Sequence, residues 1–248
     1  MRKLQLSLFT VLILLPFCST VASEPIPLFN GTDLSGWDTW YRHGDKDRDL
    51  FTVKDGLIHV YANQQHNSDQ TFAGIVTQKE YSRYILRLEY KWGGKKFKPR
   101  HEAVRDAGIL FHVHGEEKIW PYSVECQVQE GDTGDIWVIG TEVTAPVNPV
   151  VRNYSATGEK ITRGGIPGKF NRFHRGYMWE VAGWNSVEVL VDGDYAKFTV
   201  NGHVVNEAFD MKYHDVEGDT WRPVTKGKIL LQAEGAELFY RNITIEQL

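Results

Sequence analysis

Cysteine is nearly absent: two occur in 248 residues, Cys18 and Cys126. Cys18 lies in an apolar leader, so the remaining chain has one thiol and no disulfide framework. Long apolar runs are missing after that leader, and nothing there approaches the ~20 residues of a membrane-crossing helix. No long segment carries a helical period. A basic surplus is lacking too: the net charge is −4, which argues against a nucleic-acid partner. The basic clusters "KKFKPRH" (Lys95 to His101) and "GKFNRFHR" (Gly168 to Arg175) read as solvated loops.

The leader has its own logic. "MRK" is a basic start, "LQLSLFTVLILLPF" an apolar core, and "CSTVAS" supplies small residues for cleavage near Ala22 or Ser23. That layout predicts a secretory signal over residues 1–23 and an exported protein, periplasmic or extracellular. Residues 24–248 then suit one large all-β domain.

Strand alternation fills most of that length. "FTVKDGLIHVYA" is a hairpin turning at Asp55 and Gly56, and "WNSVEVLVDGDYAKFTVNGHVVNEAF" gives three short strands joined at Asp192–Gly193 and Asn201–Gly202. Asp-Gly and Asn-Gly supply the positive φ values such turns need. Strand count and length predict a two-sheet antiparallel jelly roll. The stretch from Val143 to Gly183, rich in Gly, Pro, Asn and Arg, breaks the rhythm. It reads as a long loop insertion walling a site.

Parity picks out one face. In "SVECQVQEGDTGDIW", Val124, Cys126 and Val128 alternate with Glu125, Gln127 and Gln129, so the thiol belongs to the core and the carboxyl and amides face outward. In "GILFHVHG", Leu110, His112 and His114 share one side, and in "KILLQAEG" Leu230, Gln232 and Glu234 do. If these strands are neighbours, His112, His114, Glu125, Gln127, Gln129, Gln232 and Glu234 line one surface. Trp137, Arg163 and Trp179 are candidates for its walls, and eight tryptophans tilt the composition toward carbohydrate recognition.

The order of motifs carries a resemblance. "LFNGTDLSGW", "DAGILFHVHG", "SVECQVQEGDTGDIW", "WNSVEVLVDG", "VNGHVV" and "GKILLQAEGAELFYRNITIEQL" resemble, in register, the 3-keto-disaccharide hydrolase domain family, formerly domain of unknown function 1080. The resemblance implies a concanavalin A-like sandwich with a sugar-binding concave face. It also implies cleavage of glycosides already oxidised to the 3-ketone. Glu125 and Gln127 match the family pattern. His112 stands where arginine is common, Glu234 where histidine is common, Glu130 for a common aspartate and Asp135 for a small residue.

Chemistry narrows the reading. Retaining hydrolysis needs two carboxylates ~5 Å apart, and the strand carrying Glu125 has only amides at the next two outward positions. A 3-keto sugar asks for less, because its ketone acidifies the C2–H. One base, an enolate polariser and hydroxyl-binding groups suffice for elimination of the C1 substituent. His112, His114 and Glu125 are the catalytic candidates, and Gln127, Gln129, Trp137, Gln232, Glu234 and Arg163 the substrate-binding ones. The "HVH" pair with Glu125 also admits a divalent cation, and "HNSDQ" (His66 to Gln70) and "DKDRD" (Asp45 to Asp49) admit calcium. The competing reading is a lectin-like module that binds glycan on the same face without turnover.

Overall fold

The computed structural model describes residues 24–42, 49–165 and 170–248. The predicted signal segment, and most of the "DKDRD" stretch, lie outside the described residues.

Eighteen strands follow in chain order: β1 (Ile26–Pro27), β2 (Trp37–Tyr41), β3 (Phe51–Lys54), β4 (Leu57–Val60), β5 (Ala73–Thr77) and β6 (Arg83–Lys96). Next come β7 (Asp106–His114), β8 (Tyr122–Gln129), β9 (Ile136–Ile139), β10 (Thr141–Val147), β11 (Glu159–Gly164) and β12 (Phe170–Phe173). The last are β13 (Asn185–Asp192), β14 (Tyr195–Val200), β15 (His203–Asp215), β16 (Thr220–Pro223), β17 (Lys228–Ala233) and β18 (Ala236–Gln247). There is no α-helix among the described residues, and so none long and apolar enough to cross a membrane.

All strand pairs are antiparallel and form two sheets. The larger runs β11-β10-β15-β14-β13-β6-β18-β4-β3, with β1 beside β18 and β16 beside β15; the smaller runs β12-β9-β8-β7-β17-β5-β2. The expected all-β jelly-roll sandwich is therefore present. Alternation explains it: Tyr84, Leu86, Leu88 and Tyr90 of β6 and Val187, Val189 and Val191 of β13 point inward and are buried, while residues between them meet solvent. Ile109, Phe111, Val124, Cys126 and Val128 come up from the smaller sheet to the same core, and the Cys126 thiol is fully buried as its parity required. The tight turns use the residues singled out for them, with φ of 52° at Asp55, 63° at Gly193 and 47° at Asn201.

The Val143 to Gly183 stretch differs from expectation. It is not a loop throughout. Its start completes β10, which pairs along its length with β11, and β12 pairs with β9. Low alternation in this stretch reflects edge strands with little apolar surface to bury. β11 shows only exposed and half-buried positions.

Candidate active site

The register of the smaller sheet builds the site row by row. β7 and β8 pair Asp106 with Gln129, Gly108 with Gln127 and Leu110 with Glu125; β8 and β9 pair Glu125 with Trp137. β17 lies on the other side of β7, with Leu231 opposite Ile109. One step further along that register brings Gln232 beside Gly108. These outward side chains line a cavity of about 360 Å³ formed by Arg100, Asp106, Trp120, Glu125, Gln127, Gln129, Trp137, Phe170 and Glu234. Its volume suits a small ligand.

Below it the same face turns apolar. Val76, Leu110, Val113, Ile139 and Leu230 form a second buried cluster against which Trp40, Trp120 and Trp137 pack. The aromatic walls of the groove thus rest on a hydrophobic footing. Trp120 and Trp137 each present an edge-on contact to Phe170, with centroids 6.3 and 6.4 Å away.

Asp106 organises the upper row. It accepts Gln127 Nε2 and Gln129 Nε2, both at 2.9 Å, and pairs with the Arg100 guanidinium at 2.5 Å. Glu234 accepts the Trp120 indole N–H at 2.8 Å, with Arg100 3.9 Å away. Burial raises the proton affinity of all three groove carboxyls. Asp106 is pushed up to about 6, against the pull of Arg100. Glu234 is pushed up to about 7 by burial and by the charge of Asp106. These two titrate as a pair. Glu125 is held well above the ordinary carboxylate range by burial, then by Glu234 and Asp106.

Gly108 leaves a gap at the centre. A Cβ there would stand 2.1 Å from Glu125 Oε1 and 2.2 Å from Gln232 Oε1, so both side-chain ends occupy the space its missing side chain vacates.

Not every expected residue arrives. Glu125, Gln127, Gln129, Trp137 and Glu234 line the cavity, and Gln232 is fully buried beneath it. His112 and His114 do not reach it. β7 has a bulge between Phe111 and His114, and His112 adopts a left-handed φ of 53°. The extra residue reverses the parity beyond Phe111. Val113 therefore joins the outer apolar cluster, and His112 turns inward, with Nε2 donating to the Gly193 carbonyl of the opposite sheet at 2.8 Å. Burial lowers the affinity of His112 for a second proton to about 4. His114 donates from Nδ1 to the His112 carbonyl at 2.7 Å and meets Tyr213 of the larger sheet edge-on.

The His112, His114 and Glu125 ligand set is accordingly not assembled, and no group of three metal-ligating side chains occurs among the described residues, "HNSDQ" included. Arg163 is also elsewhere. Its guanidinium donates to the Arg172 carbonyl and covers the Phe173 ring at 4.7 Å, clipping β11 to β12. Trp179 stacks on His203 at 3.5 Å rather than facing the groove.

Asp106, Arg100, Trp120 and Phe170 are groove residues beyond the expected set. Asp106 was readable, since it shares parity with Leu110 two strand steps earlier. Arg100 and Phe170 sit in the two basic clusters taken as solvated loops. The wall strand β12 is fixed by Asp135, which is fully buried and accepts Arg172 Nε at 2.5 Å, the Arg175 amide at 2.8 Å and Arg175 Nη1 at 2.9 Å.

The chain is thus a two-sheet jelly roll whose outer face carries a cavity walled by aromatics and floored by carboxyls and amides. Within that class the chain belongs to the 3-keto-alpha-glucoside-1,2-lyase-like domain family, whose profile matches residues 24–246. No curated protein matches it. Among solved structures, a protein of Parabacteroides distasonis ATCC 8503 described as a candidate glycosyl hydrolase is 21% identical, covers 90% of this chain and 94% of its own, and superposes with a TM-score of 0.52. A structure described with the endo-acting O-glycanases by which human gut bacteria initiate mucin breakdown is 12% identical, covers 87% and 93%, and gives 0.50. At such identities the likeness shows the fold alone.

Proposed function

We propose that the groove binds a 3-keto glycoside and cleaves it by elimination across C1 and C2, in an exported protein. The observation that carries this reading is the trio of buried carboxyls on one cavity, with Glu234 pushed up to about 7 and Glu125 held well above its ordinary range. Such a separation assigns acid and base roles. Glu234 has an oxygen without a close hydrogen-bond partner among the described residues and is the base for the acidified C2 proton. The electron pair released there forms the C1–C2 double bond as the C1–O bond breaks, and Glu125 gives its proton to the departing oxygen. Asp106 is tied down by two amides and Arg100, so it orients Gln127 and Gln129 toward sugar hydroxyls. The edges of Trp120 and Trp137 with Phe170 flank the ring. The family's description supports the 1,2-elimination, and the basic start and apolar core of residues 1–23 support export.

The carboxyls that a single strand could not supply come from three adjacent strands, so the amides after Glu125 no longer count against cleavage. The test is to incubate residues 24–248 with 3-keto and ordinary disaccharides, with and without chelator, and identify products. An unsaturated 3-keto sugar from the oxidised substrate alone is expected. Binding of either sugar without any product would mark the lectin-like alternative and overturn the reading.

A further inference from the structure

Gln232 is fully buried, and its two amide ends have unequal surroundings. Nε2 points at the Ile119 carbonyl, 3.5 Å away, whereas Oε1 is buried without a hydrogen-bond partner. The opposite amide orientation would set oxygen against the Ile119 carbonyl and aim Nε2, in place of Oε1, at Glu125. Oε1 and Glu125 Oε1 both lie within 2.2 Å of where a Cβ on Gly108 would stand, so the two oxygens are close neighbours in the gap it leaves. Two acceptors in a dry pocket repel. A proton between them turns the pair into a hydrogen bond and satisfies a buried oxygen that otherwise costs stability.

We infer that Gln232 is a positioning residue that accepts the carboxyl proton of Glu125 and so stores the acid in its loaded form between turnovers. The other charged and titratable groups around Glu125 are Asp106 on β7, Glu234 after β17, Arg172 on β12 and the Tyr240 phenol from β18. The two carboxylates favour the neutral acid as they ionise; Arg172 opposes them. Burial is the first cause that favours the neutral acid at Glu125, but burial gives its proton no direction. Gln232 does. On this view the O–H is turned toward Gly108 until a substrate oxygen competes for it. The contact itself needs no substrate; only its catalytic purpose rests on the function proposed above.

The test reads the free protein by infrared difference spectroscopy at neutral pH. Wild type minus Glu125→Gln should show the C=O band of a protonated carboxyl. In Gln232→Leu, which keeps the pocket filled and dry, that band should move to higher frequency as the proton loses its acceptor, while Gln232→Asn, able to reach part-way, should fall between. Turnover of a 3-keto disaccharide should drop roughly tenfold or more in Gln232→Leu, with KM less affected than kcat. A Glu125 band that does not shift in either folded variant overturns the inference, as does its absence in wild type. A shifted band in a protein that cleaves no 3-keto sugar overturns the functional reading and leaves the contact standing.

Discussion

Trp120 donates its indole N–H to Glu234 at 2.8 Å, and the same carboxyl is buried next to Asp106. The bond favours the ionised carboxyl and partly offsets the two effects that raise its proton affinity. Trp120→Phe removes the donor and keeps the ring. The Glu234 midpoint should then rise further, seen by carbon NMR of the labelled carboxyl and by an upward shift of the acidic limb of the pH–activity profile. A midpoint that stays or falls would remove Trp120 from the electrostatics of the groove.

Groove carboxyls also tie stability to pH. Asp106 and Glu234 hold protons more tightly folded than unfolded, so ionisation favours the unfolded chain. The stability they contribute is full below their unfolded values and is lost as the pH climbs through about 6 and about 7. Between pH 5 and pH 8 the melting temperature should therefore fall, and Glu234→Gln should flatten that slope. A slope unchanged in the variant would show that Glu234 ionises normally.

Gly108→Ala tests the central gap. Gly108 is in an ordinary strand conformation, so the added methyl brings no backbone strain, only contact with the Glu125 and Gln232 oxygens. Overpacking of this kind costs roughly 1–3 kcal/mol. Turnover should fall at least tenfold, about 1.4 kcal/mol in the barrier. Steady-state kinetics beside a thermal melt separates the two effects.

His112→Asn distinguishes the two faces of β7. Asparagine tolerates the left-handed φ at this position. The variant loses the bond to the Gly193 carbonyl and should lose about 1–3 kcal/mol of stability, while its pH–rate profile keeps its shape. Loss of turnover at full stability would return His112 to the groove.

The parity argument worked along β8 and failed halfway along β7 for a physical reason. Glu125, Gln127 and Gln129 follow strict alternation from core residues whose burial is unambiguous. Beyond Phe111 a single left-handed residue inserts an extra step, and a bulge leaves no trace in a hydrophobic pattern that reads equally well in either register. Glu234 was legible because it closes the strand of Gln232. Arg100 and Phe170 were not, because loop and edge residues reach the groove through chain direction, which periodicity does not encode. The jelly roll itself was legible from alternation and turn residues spread over the whole length.

Asp135 holds the outer wall. Asp135→Ala would leave Arg172 and Arg175 paired only with the part-exposed Asp132 and cost about 1–3 kcal/mol for the lost hydrogen bonds, with β12 loosened first. Hydrogen exchange should show Phe170 to Phe173 losing protection ahead of β8. Uniform loss across the sheet would mean that the wall is not independently secured.

That buried carboxylate has a further consequence, in ionic strength. Rim pairs such as Arg83 with Asp192, whose side chains are 58% and 46% exposed, are screened once the Debye length shrinks to a few ångströms. Asp135 is 0% exposed, so its ion pairs are screened much less. The groove wall is thus clamped by charge in a place that salt screens weakly. Its shape depends little on the ionic strength of the medium, whereas the charged rim of the larger sheet responds to it.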